Sequence, residues 1–311
     1  MKKGMDLLSI HELSAGDVEE ILTLAADLKA KQKAGIPHPL LAGKTLGMIF
    51  EKPSTRTRVS FEVGMYQLGG QALFLSSRDL QLGRGEPIKD TARVLSRYLD
   101  GIMIRTYGHD HIEELARYAD IPVINALSDL LHPCQALTDL LTIREYKGKN
   151  LAGLKMAYVG DGNNMTHSLM YAAAKVGMHF AAATPEGYEP NAAVVANAKA
   201  DAAATGATIT ITHNPMEAVA GADVIVTDTW ASMGQEAEHD ARTAVFRPYQ
   251  VNAELVAASG NARSIVMHCL PAYRGEEITE EVFEEFADVI FDEAENRLHV
   301  QKAIMALVMG D

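Results

Sequence analysis

The chain has 311 residues, which at roughly 100–200 residues per domain predicts two domains, each large enough for its own core. Its 41 acidic and 28 basic residues give a formal charge of −13, which argues against nucleic acid or an acidic membrane surface as the main partner. The two cysteines, Cys134 and Cys269, cannot make a disulfide scaffold, and no apolar run reaches the roughly 18 residues of a membrane span.

The opening residues, MKKGMDLLSIHELS, lack the apolar core and cleavage pattern of a signal peptide, so a cytoplasmic setting is expected. Short apolar runs then alternate with helix-period segments. The strand candidates are Thr45–Phe50, Ala72–Leu75, Ile102–Arg105 and Pro122–Asn125 in the first half. In the second half they are Leu154–Val159, His179–Thr184, Ala207–Thr212, Asp223–Thr227, Ser264–His268 and Val289–Phe291. Between them, spacings such as Val59, Val63, Tyr66 and Ala92, Leu95, Leu99 predict helices. The expected fold is α/β: two domains, each a parallel sheet flanked by helices, with a site in the cleft between them. The polar break at residues 145–150 divides the chain into 1–147 and 148–293. A last helix from about Ala294 is expected to pack back on the first domain.

Ligands of open α/β sheets bind beyond the carboxyl ends of the strands, and the unusual polar clusters fall there. Ser54-Thr55-Arg56-Thr57-Arg58 follows the first strand and opens a helix. Ser54 is a good N-cap, and the free N–H groups, hydroxyls and guanidinium suit a phosphate or a carboxylate. Arg105 ends the third strand. Gln81-Leu82-Gly83-Arg84-Gly85-Glu86-Pro87 is a glycine-rich loop that an ordinary surface connection would also explain. His132-Pro133-Cys134-Gln135 puts proline at a helix's first position, with His132 as a cap over a buried cysteine or as a ligand group at the helix mouth.

Two motifs tempt a nucleotide interpretation. Gly43-Lys44-Thr45 has His38 where a phosphate-binding loop needs glycine, and it precedes its strand. Gly160-Asp161-Gly162-Asn163-Asn164-Met165 follows a strand, but Met165 replaces the third glycine of a dinucleotide fingerprint. Asp228 ends a strand before Thr229-Trp230-Ala231-Ser232-Met233-Gly234, where a carboxylate can hold an ammonium. Trp230 reads as packing. His268-Cys269-Leu270-Pro271 ends another strand. The His and Cys spacing is wrong for a zinc site, so no metal is expected.

Taken together, Ser54-Thr55-Arg56-Thr57-Arg58, His132-Pro133-Cys134-Gln135, Asp228 with Ser232-Met233-Gly234, and His268-Cys269-Leu270-Pro271 resemble the ornithine carbamoyltransferase family over nearly the whole chain. The first two motifs look like the carbamoyl phosphate half shared with aspartate carbamoyltransferases. The last two point to ornithine. The resemblance implies transfer of a carbamoyl group from carbamoyl phosphate to the side-chain amine of L-ornithine, without a cofactor. A carbamoyltransferase with a different amine acceptor is the alternative.

The resemblance also implies roles. Ser54, Thr55, Arg56 and Thr57 would hold the phosphate, and Arg105 would bridge phosphate and carbonyl oxygen with Thr57 and His132 beside it. Gln135 would meet the carbamoyl amide, with Pro133, Cys134 and Arg297 completing the carbamoyl phosphate site. Asn164 would bind the ornithine carboxylate, and Asp228, Ser232 and Met233 its α-amine. Cys269 and Leu270 would line the path of the attacking amine. Gln81 would reach the site of a neighbouring subunit in a homo-oligomer built from trimers.

Overall fold

The computed structural model describes residues 1–81, 85–231, 234 and 236–310. Ser232 and Met233 lie outside the described residues, as does part of the 81–87 loop. Contacts along the chain divide it into two units: Met1–Leu141 with the stretch from Glu295, and Thr142–Ala294.

In the first unit, α1 (Ala15–Lys33) leads into β1 (Thr45–Phe50), α2 (Thr55–Gln67), β2 (Gln71–Ser76), α3 (Ile88–Leu95), β3 (Gly101–Arg105), α4 (His109–Tyr118), β4 (Val123–Leu127) and α5 (Pro133–Lys147). The strands form a parallel sheet in the order β2-β1-β3-β4. Helix α1 starts at a capping box, in which Ser14 and Asp17 exchange side-chain and backbone bonds. The central strands are continuous apolar runs because helices cover both faces of a parallel sheet. Ile49, Ile102, Ile104 and Val123 share one cluster with Ala92, Ile112 and Leu115. Pro122 stays outside the ladder, having no N–H to give, although its carbonyl accepts from Ile102 N at 2.9 Å.

The second unit runs through β5 (Lys155–Val159), α6 (Asn164–Val176), β6 (His179–Ala183), α7 (Ala192–Thr205), β7 (Ile209–Thr212), α8 (Pro215–Val219), β8 (Val224–Thr227), α9 (His239–Phe246), α10 (Ala253–Ala258), β9 (Ile265–His268) and α11 (Glu280–Glu285). Its parallel sheet has the order β7-β6-β5-β8-β9. Ala157, Val159, Ile225 and Val266 of the sheet pack with Val251, Val282 and Ile290. Helix α6 stops at Gly177, whose φ of 74° is the left-handed cap that glycine adopts without steric cost. The last helix, α12 (Ala287–Met309), gives its residues from Glu295 to the first unit.

Three expectations are corrected. Val289–Phe291 is not a strand; it lies in the first turns of α12, which starts at Ala287 instead of about Ala294. A three-residue apolar run does not separate strand from helix, and the buried set Val289, Ile290, Glu293, Arg297 and Val300 follows helical spacing. Helix α2 forms where the spacing of Val59, Val63 and Tyr66 predicts it; these three are exposed, and Thr57, Phe61, Gly64 and Met65 are its buried residues. Helix α3 ends at Leu95, so Leu99 reaches the core from beyond it.

Both sheets reverse their order at one place. In the first, β1 has β2 on one side and β3 on the other; in the second, β5 lies between β6 and β8. Such switch points open a crevice at the carboxyl ends of the strands. The loops leaving β1 and β3, and those leaving β5 and β8, carry the polar clusters.

Candidate active site

In the first unit, Phe50 and Arg105 stand opposite each other at the ends of β1 and β3. Ser54 then takes an extended conformation as the N-cap of α2, its hydroxyl accepting from Thr57 N at 3.2 Å. The first turn of α2 holds no acidic residue. Its free N–H groups and the positive end of its dipole are therefore available to an anion. Thr55, Arg56 and Thr57 occupy its first three positions.

Arg297 of α12 joins these residues. Its Nη2 donates to Thr57 Oγ1 at 2.8 Å. Its Nη1 donates to Gln135 Oε1 and lies 3.4 Å from His132 Nε2. Gln135 in turn donates from Nε2 to Asp139 Oδ1 at 2.8 Å. Thr57, Arg105, His132, Gln135 and Arg297 are all buried. Burial first, then the guanidiniums of Arg297, Arg105 and Arg56, hold His132 well below the usual histidine range. The imidazole is accordingly neutral, with one N–H to donate and three cationic neighbours.

Pro133 is the first residue of α5, as its ring prefers. Cys134 faces inward, its thiol donating to Asn125 O at 3.4 Å, and burial pushes that thiol up to about 12. It is a packing residue rather than a thiolate. Gln81 is exposed beyond β2. Lys52, which belongs to no motif in the sequence, is buried in the loop after β1. Its ammonium pairs with Asp129 and lies 4.3 Å over the Tyr107 ring. The signal available for it was a lysine two residues ahead of the Ser54 cap.

In the second unit, the loop after β5 turns at Gly160 and Gly162. A Cβ on Gly162 would come within 2.4 Å of the backbone of Glu189 and Pro190, so only glycine fits there. Asn163 caps α6, accepting from Met165 N at 2.9 Å and Thr166 N at 3.3 Å. Its amide donates to Asp228 Oδ2 at 3.1 Å. Asn164, the residue singled out in the sequence, is the first residue of α6 and half-buried. The neighbouring Asp161 pairs with Arg242, which lies over the rings of Tyr188 and Phe246. Burial outweighs that guanidinium and pushes the Asp161 carboxyl up to about 6.

Asp228 follows β8, and its Oδ1 accepts from Thr229 N at 2.8 Å and from Cys269 Sγ at 3.2 Å. Trp230 is buried and stacks with Phe246 at 6.1 Å, as packing requires. His268, at the end of β9, accepts from Leu270 N at Nδ1 (2.9 Å), so its Nε2 carries the proton donated to Glu277 Oε1 at 3.0 Å. Glu277 also accepts from Tyr273 N at 2.6 Å. Leu270 has φ +60°, the only positive φ at a non-glycine among the described residues. Such a backbone costs on the order of 1–3 kcal/mol and persists only where its surroundings hold it. Glu277 was not legible in the sequence, because only the fold returns it to His268.

Asp228, His268 and Cys269 each offer an atom within 4.8 Å of the others, as metal ligands would. Both ring nitrogens of His268 are already committed to Leu270 and Glu277, which leaves no lone pair for an ion. The donor set fits a hydrogen-bonded network that ends in a carboxylate.

Residues 5–145 match the carbamoyl-phosphate-binding domain of aspartate/ornithine carbamoyltransferases, and residues 152–308 match their Asp/Orn-binding domain. The chain is 61% identical over 308 residues to an ornithine carbamoyltransferase of Carboxydothermus hydrogenoformans, covering 99% of this chain and 98% of that one. It is 57% identical to an anabolic ornithine carbamoyltransferase of Pyrococcus furiosus over 99% of this chain and 97% of the relative. The solved structure of ornithine carbamoyltransferase from Pyrococcus furiosus superimposes with a TM-score of 0.95 at 56% identity, covering 99% of this chain and 97% of that chain. With both domains matched and relatives this similar along the full length, the chain belongs to the ornithine carbamoyltransferase family.

Proposed function

We propose that the protein transfers the carbamoyl group of carbamoyl phosphate to the side-chain amine of L-ornithine, giving L-citrulline and phosphate. The observation that carries this is the set of three guanidiniums around a buried, neutral His132 at the start of α5, on a chain of charge −13. That is a focused site for a dianionic acyl phosphate, in which a carbonyl adjoins the phosphate.

In this scheme Ser54, Thr55, Arg56 and Thr57 take the phosphate oxygens through the N–H groups of α2 and their side chains. Arg105 spans phosphate and carbonyl oxygen. Pro133 and Cys134 shape the start of α5, so that His132 and Gln135 face the carbamoyl group. Arg297 ties Thr57 to Gln135. In the second unit, Asp228 holds the ornithine α-ammonium with Ser232 and Met233, and Asn164 takes its carboxylate. Cys269 and the Leu270 backbone line the way of the side-chain amine.

That amine has a reference pKa of about 10.4 and must lose a proton before it attacks. Its nitrogen lone pair forms the new C–N bond, and charge develops on the carbonyl oxygen. Arg105, Thr57 and neutral His132 stabilise that oxygen as donors. The C–O bond to phosphate then breaks, and phosphate leaves with the bonding pair and accepts the amine's proton. No atom changes oxidation state. Most of the rate enhancement is positioning and fixed electrostatics.

An exposed Gln81 beyond β2 supports a further part of the proposal: the side chain serves the site of a neighbouring copy in a trimer or a multiple of trimers. No helix among the described residues is long and apolar enough to cross a membrane. The proposed setting is the cytoplasm.

The test is citrulline formation from carbamoyl phosphate with ornithine, against aspartate, putrescine and acetylornithine as acceptors. Turnover with ornithine at least tenfold above the others is expected. Equal or greater turnover with another amine would transfer the assignment to that acceptor.

A further inference from the structure

Glu277 is fully buried in the second unit and belongs to none of the sequence motifs. Its backbone fixes its place, the carbonyl accepting from Val251 N at 2.8 Å. Its Oε1 accepts from Tyr273 N at 2.6 Å and lies 3.0 Å from His268 Nε2. On the other side of the imidazole, Nδ1 lies 2.9 Å from Leu270 N. A backbone N–H can only donate, so Nδ1 is the ring nitrogen without a proton. The proton is then on Nε2, where Glu277 accepts it. The tautomer follows from the partners' chemistry alone.

We infer that Glu277 is a positioning residue for the Leu270 backbone: by fixing the His268 tautomer, it keeps an acceptor facing the Leu270 N–H. The inference rests on the proposal that Leu270 lines the path of the side-chain amine. Leu270 has φ +60°, a conformation that a leucine keeps only where its surroundings hold it. Its side chain packs against the core cluster that contains Val266 and Ile278, and His268 holds its N–H. Take away the acceptor at Glu277 and both tautomers become unfavourable. With the proton on Nε2, a buried donor has lost its acceptor. With the proton on Nδ1, two donors oppose each other at Leu270, and the backbone is pushed off the imidazole. The strand itself does not depend on this bond. His268 still pairs with Thr227 of β8, and its own N–H donates to Glu293 Oε2 at 3.0 Å. The disturbance therefore falls on the residues after β9. Displacing a wall of the amine's path by about an ångström costs rate more than binding, on the order of 100-fold.

The experiment uses the full chain with Glu277→Leu, which removes the acceptor, and Glu277→Gln, whose amide oxygen still accepts. Citrulline formation gives kcat and the ornithine KM at saturating carbamoyl phosphate. The inhibition constant of norvaline, which is ornithine without its side-chain amine, reports the amino-acid end of the site alone. For Glu277→Leu the expected result is a kcat about 10–100-fold lower, with the norvaline constant within about twofold of the parent. Glu277→Gln should fall between that variant and the parent.

Parallel loss of kcat and norvaline binding would show that Glu277 only supports the fold of the second unit, and would overturn the inference. So would an unmoved kcat, or a Glu277→Gln no better than Glu277→Leu. If Glu277→Leu does not fold, His268→Asn and His268→Leu decide. An asparagine oxygen takes a bond from the N–H two residues on without help from a second side chain. The asparagine variant should therefore keep about tenfold more kcat than the leucine variant at equal norvaline binding, and equal kcat would overturn the inference. An active parent whose variants keep its kcat fails the inference alone, whereas a parent that forms no citrulline fails the proposed function and the inference together.

Discussion

Arg297 and Thr57 are 240 positions apart in the chain, yet Arg297 Nη2 donates to Thr57 Oγ1 at 2.8 Å. The second arm of the same guanidinium serves Gln135. A planar fork meets two partners at once, which an ammonium on a flexible stem does not. Arg297→Lys is therefore predicted to raise the KM for carbamoyl phosphate by roughly 10–100-fold, the loss of about one or two charge-assisted bonds. The ornithine KM should move little. Steady-state kinetics with each substrate varied in turn decides it, and equal effects on both would argue for a general loss of structure.

Asp228 draws Asn163 Nδ2, Thr229 N and Cys269 Sγ onto one carboxylate. All three are donors, as an ammonium is. Asp228→Asn keeps the shape and removes the charge. It should weaken ornithine binding by roughly 30-fold or more, the lower range for breaking a buried charge pair, and leave carbamoyl phosphate binding nearly intact. Calorimetric titration of each ligand is the check; an unchanged ornithine affinity would remove the basis for the acceptor assignment.

His299 has a different kind of consequence. Burial first, then the nearby Lys302, lowers its pKa from 6.5 to about 4, although Glu295 Oε1 lies 3.3 Å from its Nε2. His132 is shifted in the same direction. Between pH 6.5 and 4 the unfolded chain takes protons that the folded chain refuses, so stability is full above 6.5 and falls toward 4. His299→Gln should flatten part of that fall. Urea midpoints for parent and variant between pH 7.5 and about 5 would show it, and parallel curves would mean His299 titrates normally in the folded protein.

Gln81 is exposed, which suits a side chain that serves a neighbouring copy. If it does, inactive Gln81→Ala and Arg105→Ala proteins mixed under conditions of subunit exchange should regain part of the parental activity. Some sites in the hybrids would carry neither lesion. Confirmed exchange without recovered activity would place Gln81 in the service of its own chain alone.

How much of this was legible in the sequence depends on how local the signal is. The run Thr45–Phe50 is a strand with those limits, and Ser54 caps the helix after it, because both signals lie within a few residues. Val289–Phe291 reads as a strand until the buried Glu293, Arg297 and Val300 show the helical stripe that contains it. Helix α2 was visible from the spacing of Val59, Val63 and Tyr66, but that these three are exposed was not, since periodicity reports an apolar stripe and not what covers it. Asn163, the residue before the Asn164 singled out in the sequence, donates to Asp228, and one residue's difference at a helix start is beyond spacing arguments. Glu277 beside His268 and Asp139 behind Gln135 had no local signature, because each matters only through a partner that folding supplies.

The central claim is that Arg105, with Thr57 and a neutral His132, stabilises the charge that forms on the carbamoyl oxygen. Arg105→Ala tests it most directly, through kcat/KM for citrulline formation measured beside the thermal midpoint. The account predicts that kcat/KM falls by about 1,000-fold or more, the scale of losing a principal oxyanion donor, with the midpoint changed by only a few degrees. A kcat/KM within a few-fold of the parent in a folded variant would contradict it.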